Sequence, residues 1–558
     1  MSESWFQQHQ ETLQGALQAI ATRAYWSAFP EIPSGKIYGE SAKDDGLKAF
    51  QRRLDARFEL DQPGGDETVG EERSPFGVEL HVRYPRADLD KLTAAAVDAC
   101  RAWRDASVEM RTGVCFEILK RLNAASFELA FAVMHTTGQG FMMAFQAGGP
   151  HAQDRALEAV AYAYREQTST PAEVLWTKQV SKTDKVTLRK RFRVVPRGLA
   201  AVVGCSTFPT WNSYPAIFAS LATGNGVIVK PHPGAVLPLA ITIEVARKTL
   251  AQAGFDPNII TLAADSHDAP IAKELVTREE IGIVDYTGGS AFGAWIEDHA
   301  RQAVVFTEKA GVNPVVLDSV EDLKSFTGNL AFSLSLYSGQ MCTTPQNIFI
   351  PKDGIAVGGE RKSFDEIAAA IVGAVDWLLG DAKRGAEILG AIQNPATLER
   401  VAQAAGEGGE VLRASTPVAN EMFPDARVAS PLILKVAAAD ERLYMREMFG
   451  PIAYLVATED TEQSIRLATK GARGCGAITA AVYSTDKDVC ARAERALTDA
   501  GAAVSCNLTG PIYVNQAAAF SDFHVSGVNP AGNATLTDTA YVAGRFRIVQ
   551  SRAPIAAD

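Results

Sequence analysis

Between residues 199 and 285, short apolar runs alternate with stretches of helical periodicity, and nothing else in this 558-residue chain restricts its fold as tightly. The runs lie at 199–203, 226–229, 259–262 and 281–285. A run that never alternates with polar residues is buried on both faces, which is the condition of a strand inside a parallel sheet covered by helices. Parallel neighbours need long crossovers, and the helical stretches supply them. The expected fold class is therefore α/β. A second alternating region, residues 313–505, implies a second α/β unit.

Other segments read differently. Residues 186–195 (VTLRKRFRVV) alternate with period two before a Pro-Arg-Gly turn, as an antiparallel hairpin strand does, and residues 544–550 (GRFRIVQ) form a late strand. Leu13 to Trp26 has helical spacing, and the Gly- and acid-rich stretch 61–73 marks a boundary. Residues 88–167 are mainly helical, with breaks at Gly138, Gly140 and Gly148-Gly149-Pro150.

Lys and Arg number 54 against 65 Asp and Glu, a net charge of −11. The chain as a whole repels phosphate backbones and anionic membrane surfaces, so no nucleic-acid or membrane partner is expected. The N-terminus lacks a secretion signal and no stretch reaches the roughly 18 apolar residues that span a bilayer, so a cytoplasmic protein is expected. Seven cysteines, at 100, 115, 205, 342, 475, 490 and 506, form an odd set without metal-ligand spacing. They are expected to be reduced thiols, with no metal site.

Three groups of residues are candidates for chemistry. Residues 281–293 (IGIVDYTGGSAFG) read as strand, turn and helix start, placing Gly288, Gly289 and Gly293 where unpaired N–H groups suit a pyrophosphate. A plain tight turn fits the same residues. Lys230 ends the run 226–230 at the edge where open α/β sheets bind ligands, although a lone lysine there is more often a solvated surface residue. Residues 306–314 (FTEKAGVNP) set Glu308 before a flexible turn, and residues 338–344 (SGQMCTT) set Cys342 after a glycine, 34 residues later. A thiol in such an open segment, leading into a helix, would have its pKa lowered from about 8.5 and act as a nucleophile. A buried packing cysteine is the alternative.

In order and spacing these segments resemble the aldehyde dehydrogenase superfamily, whose signatures set a glutamate in an ELGGKNP-like turn before a cysteine in a GQxC segment. Seven cysteines in 558 positions meet one prescribed site by chance roughly once in 80. Trp211-Asn212, residues 222–225 (ATGN), 447–451 (EMFGP) and 525–527 (VSG) extend the match from about residue 85 to 550. The long N-terminal extension and residues 337–347 (YSGQMCTTPQN) are similar to a narrower branch, the aldehyde dehydrogenases of phenylacetic acid degradation.

The resemblance implies a Rossmann-type dinucleotide-binding domain (86–182 and 199–307), a catalytic domain (308–505) and a β oligomerisation arm (183–198 and 537–552). These follow an N-terminal helical extension (1–85), in a homodimer or homotetramer. It implies NAD(P)-dependent oxidation of an aldehyde to the acid. Cys342 attacks the carbonyl, hydride leaves to nicotinamide, and Glu308, with a raised pKa, activates water against the resulting thioester. The Asn212 amide and the Cys342 backbone N–H hold the oxyanion, an interaction whose loss costs about 10²–10³ in rate. Cofactor contacts fall on Pro209, Thr210, Trp211, Lys230, His232, Pro233, Gly288, Gly289, Gly293, Glu447 and Phe449.

Pro233 stands where NAD-preferring members often carry a glutamate. With Lys230 and His232 available to pair with a 2′-phosphate, NADP is expected ahead of NAD. The narrower branch implies a ring-opened semialdehyde bearing a coenzyme A thioester. Because the chain ends without room for a hydratase-like domain, no ring hydrolysis is expected. One departure is residues 520–527 (FSDFHVSG), where the family has a GGFKxSG-like run. Two rivals remain: a CoA-acylating dehydrogenase, against which Glu308 counts, and a cofactor-independent cysteine esterase or thioesterase, for which no histidine partner of the thiol is identifiable.

Overall fold

In a computed structural model that describes residues 2–555, the apolar runs are the strands Leu199–Val203, Gly226–Lys230, Ile260–Leu262 and Ile281–Thr287. A fifth strand, Val304–Glu308, completes an all-parallel sheet. Alternate residues of each strand pack on opposite faces: Ala200, Val202, Val227 and Val229 in one core cluster, Leu199, Ala201, Val203 and Ile228 in another. Both faces are dry, so the sequence shows no polar alternation.

In space the strands run third, second, first, fourth, fifth. Winding therefore reverses between the first and fourth, and a crevice opens at their C-terminal ends. Two helices start there, Pro209–Ala222 and Ser290–His299.

A second sheet has seven strands, in the order Glu410–Arg413, Leu432–Ala437, Ile452–Thr458, Asn347–Pro351, Pro314–Leu317, Thr479–Tyr483 and Ala503–Cys506. All pairings are parallel except that of the Glu410–Arg413 edge.

The antiparallel arm differs from its expected ranges. Its three strands are Glu173–Gln179, Lys185–Pro196 and Phe546–Pro554. The first lies inside the range assigned to the dinucleotide-binding domain; all seven of its residues are exposed, so no buried face marked it in the sequence. Residues 537–545 are not arm strand. They carry the short helix Thr539–Ala543, and Tyr541 and Arg545 bind the buried Asp285 of the five-stranded sheet.

The N-terminal extension begins with helices Ser2–Gln8 and Gln10–Thr22, the latter burying Leu13, Ala16, Ala19 and Ile20 on one side. The chain then crosses the helix Pro150–Thr168, where Arg23 pairs with Glu158, and Ser27 Oγ–H and the Ala28 N–H bond Asp154. Among the described residues no helix is long and apolar enough to cross a membrane.

Candidate active site

Glu308 is the last residue of its strand, at the C-terminal edge of the five-stranded sheet. Cys342 precedes the strand Asn347–Pro351, at the N-terminal edge of the seven-stranded sheet. The two edges meet. Cys342 Sγ–H donates to Glu308 Oε1 at 3.2 Å, and His524 Nε2 lies 2.8 Å from the same oxygen and 3.8 Å from the sulfur. Asn212 Nδ2, in the first turn of the helix Pro209–Ala222, donates to Glu308 Oε2 at 2.8 Å. Glu308 is 1 % exposed, His524 2 % and Asn212 7 %.

The turn that carries Cys342 is fixed from several sides. Tyr337, Ser338 and Gly339 take consecutive left-handed φ values of 54°, 49° and 65°, a conformation that costs a non-glycine residue about 1–2 kcal/mol. Two bonds from Ser338 Oγ–H to the Leu389 and Ala429 carbonyls offset part of that cost. At Gly339 a Cβ would lie 2.4 Å from the Gly450 carbonyl oxygen, so only glycine fits. Asn313, from the Glu308 motif, holds both sides of the turn. Its Nδ2 donates to the Cys342 and Thr344 carbonyls at 2.8 and 2.9 Å, while Oδ1 accepts from the Ile478 and Thr479 N–H groups.

Two electrostatic expectations are overturned. The Cys342 pKa is not lowered but raised well above the usual thiol range, by burial first and then by the Glu308 charge and hydrogen bond; no helix begins at the cysteine to oppose this. The Glu308 pKa is not raised. Burial pushes it up, but the charge and hydrogen bond of His524, together with the bonds from Cys342 and Asn212, outweigh burial and hold it below the ordinary value.

Cys342 and His524 open into a cavity of about 560 Å³. Its wall is mostly apolar, with Met142, Met143, Phe208, Trp211, Phe332 and Tyr513, and the N-terminal extension adds Tyr25, Trp26 and Glu31. No lysine or arginine lines it among the described residues.

The other expected site residues divide into groups. Glu447 and Phe449 line a narrow cleft on another side of Cys342, and burial raises the Glu447 carboxyl to about 7. Gly288 and Gly289 form the turn before the helix Ser290–His299, which has no side-chain cap; Gly293 is buried in its first turns against Lys309. Pro209 and Thr210 are buried at the start of the helix Pro209–Ala222, with Thr210 Oγ1–H on the Gly148 carbonyl. Trp211 faces the apolar cavity.

Lys230 is buried and paired with Asp265 at 2.8 Å. His232, beside the buried Pro233, accepts the Gly234 N–H at Nδ1, and burial, followed by Lys230 and His267, pushes it down to about 4. It is neutral at pH 7 and offers no charge to a phosphate.

Residues 72–541 match the model of the aldehyde dehydrogenase family. The chain belongs to that family. This aldehyde dehydrogenase is 54% identical to an NAD-dependent aldehyde dehydrogenase from Burkholderia multivorans, whose crystal structure superposes with a TM-score of 0.98 over 100% of both chains. It is 25% identical to the geranial dehydrogenase of Castellaniella defragrans over 72% of this chain and 79% of that one. A Thermus 1-pyrroline-5-carboxylate dehydrogenase shares the fold, at 16% identity and a TM-score of 0.77 over 95% of this chain and 99% of that one.

His524 is the site residue that sequence reasoning missed. It stood in view only as a departure from the glycine- and lysine-bearing family run. Its approach to Cys342 in this aldehyde dehydrogenase also supplies the histidine neighbour whose absence had counted against an esterase reading. The only cue in the sequence was that a histidine had replaced the usual lysine.

Proposed function

We propose that the protein oxidises a neutral, largely apolar aldehyde to its carboxylic acid, with NAD⁺ as hydride acceptor, through a thiohemiacetal and then a thioester on Cys342. The observation that carries this reading is the convergence of the Cys342 thiol, the Glu308 carboxylate and the Asn212 amide at one end of an apolar cavity. Once sulfur attacks a carbonyl, the Asn212 N–H and the Cys342 backbone N–H hold the oxygen as it gains charge, in a site where such donors are worth about 3–4 kcal/mol. Glu308, held ionised by its surroundings, removes a proton from the water that hydrolyses the thioester. Nicotinamide, when bound, supplies the hydride acceptor.

Several residues fit a dinucleotide. The uncapped helix Ser290–His299 begins at the crevice where the sheet's winding reverses, an arrangement suited to a pyrophosphate. Glu447 and Phe449 share a cleft with Cys342. Three features favour NAD⁺ over the NADP⁺ expected from the sequence. Lys230 already pairs with Asp265, and His232 is uncharged at pH 7. The Glu72 carboxylate, from the segment before the strand Tyr84–Pro85, accepts the Val236 and Leu237 N–H groups, so it fills the N-terminus of the helix Leu237–Gln252, which follows the strand Gly226–Lys230. The NAD-dependent relative from Burkholderia multivorans agrees with this preference.

The cavity also bears on the substrate. A neutral aldehyde suits its mostly apolar wall, but the phosphates of a coenzyme A thioester would find no lysine or arginine there and would meet Glu31, Asp154 and Glu387 instead. We therefore favour a free aldehyde over the thioester-bearing substrate of phenylacetate catabolism, and hydrolysis over acyl transfer to coenzyme A. The exposed Leu175, Trp176, Ile548 and Val549 on the arm support a homo-oligomer assembled through that sheet.

The test is quenched-reaction mass spectrometry with steady-state kinetics on aldehydes of graded size. Cys342→Ala is expected to abolish oxidation, and Glu308→Gln to stall as an acyl-enzyme on Cys342. Steady turnover by either variant refutes the assignment.

A further inference from the structure

We propose that His524 is a catalytic residue of this reaction, the group whose ring N–H holds the Cys342 thiolate once Glu308 has taken the thiol proton. The proposal rests on the reading of Cys342 as nucleophile. Its basis is a three-atom contact: Nε2 is 3.8 Å from Sγ, Oε1 of Glu308 is 3.2 Å from Sγ, and Nε2 and Oε1 are 2.8 Å apart.

The imidazole is held in place. The His524 N–H donates to the Leu536 carbonyl and the Leu536 N–H returns to the His524 carbonyl, at 3.2 and 2.8 Å. The ring packs edge-on against Trp211 at 4.7 Å and 81°. The charged and titratable groups around it are Glu308 and Cys342 in contact, Arg155 behind the Trp211 ring at 5.1 Å, and Asp522 two residues before it, whose carboxylate accepts the Ala518 N–H.

The thiol needs such a partner. Burial, the Glu308 charge and bond, and Cys205 all oppose its ionisation, and only its own backbone N–H favours the thiolate. Around the sulfur, His524 is the side chain whose ring N–H reaches both the carboxylate and the thiol. In the step, the S–H bond breaks with its electron pair left on sulfur, the proton passes to Oε1 of Glu308, and the Nε2–H that donated to Oε1 turns to the sulfur. The negative charge moves from Glu308 to sulfur, where the Nε2–H holds it. That sulfur pair then forms the C–S bond while the carbonyl π pair moves onto oxygen.

The test is the pH dependence of iodoacetamide alkylation, followed by peptide mass spectrometry, in the wild-type protein, His524→Gln and His524→Ala. At pH about 7, Cys342 in the wild type is expected to react at least about 10-fold faster than in either variant, whose profiles rise only at higher pH. Added imidazole is expected to speed the alanine variant and not the wild type. Superimposable profiles, in variants that keep wild-type NAD⁺ affinity and circular dichroism, overturn the proposal alone. Alkylation of Cys342 that leaves aldehyde turnover intact overturns the reading of Cys342 and the proposal with it. Should both variants fail to fold, the wild-type profile decides: reaction confined to strongly alkaline pH overturns the proposal, and reaction near neutrality is the expected result.

Discussion

Asn313→Ala tests how the turn bearing Cys342, the proposed nucleophile, is held. The amide makes four bonds, to the Cys342 and Thr344 carbonyls and from the Ile478 and Thr479 N–H groups, and is 3 % exposed, so water cannot readily replace it. A buried hydrogen bond contributes about 0.5–1.5 kcal/mol net. The two N–H groups that lose Oδ1 should therefore open locally about 1–3 kcal/mol more easily, which is roughly a 5- to 150-fold faster hydrogen exchange. The two carbonyls lose the donor that fixes the sulfur, and a displacement of about 1 Å at a reacting atom costs on the order of 10²-fold in kcat. Peptide-resolved exchange across residues 476–482 and steady-state kinetics read the two effects separately. Unchanged exchange in that peptide, with kcat/KM within about twofold of wild type, would refute the claim that Asn313 positions the nucleophile.

Other positions give further checks. Burial raises the Glu72 carboxyl from 4.5 to about 7, so its stabilising contribution is present below about pH 4.5 and is lost as pH rises through about 7. Glu72→Gln should gain on the wild type between pH about 5 and 8 by up to about 3 kcal/mol; a urea-midpoint difference that does not move with pH would contradict this. Trp26 lines the cavity and packs edge-on against Phe520 at 5.0 Å. Trp26→Ala should shift kcat/KM toward bulkier aldehydes by about 10-fold or more, and an unaltered size profile would remove the N-terminal extension from substrate selection. Leu175→Asp with Ile548→Asp, on the arm, should lower the mass measured by light scattering to that of a smaller assembly; an unchanged mass would place the subunit interface elsewhere.

The four strands first expected in the five-stranded sheet were legible because burial on both faces leaves few polar residues and no alternation, a local property. The fifth, Val304–Glu308, was hidden because the reading of Glu308 as part of a turn absorbed its end. The nearness of Glu308 and Cys342 was legible only through the resemblance to the family's two signatures. The pKa values were not, since an open, glycine-bearing sequence says nothing about what packs over the sulfur once two sheet edges close on it. His524 reaches Glu308 across 216 residues of sequence through a bridge to Leu536, so no local pattern reports the contact. The solvent-exposed strand Glu173–Gln179 lacked the buried face that periodicity detects.

The lowered Glu308 pKa, which first counts against a general base, follows from its being bound in the resting state by His524 and by two groups that later leave it. Three donors meet the carboxylate, the thiol and imidazole on Oε1 and the Asn212 amide on Oε2. Each stabilises the charged form and weakens the base. When sulfur becomes acylated it has no proton to donate, and when Asn212 turns its N–H to the carbonyl oxygen, Oε2 loses its partner as well. The carboxylate that remains, still buried, is left with desolvation less opposed, so its basicity rises at the stage when water must be activated. One carboxylate can thus hold the resting thiol and then hydrolyse its thioester, because the chemistry itself removes two of the three bonds that kept it weak, while His524 stays and keeps it oriented.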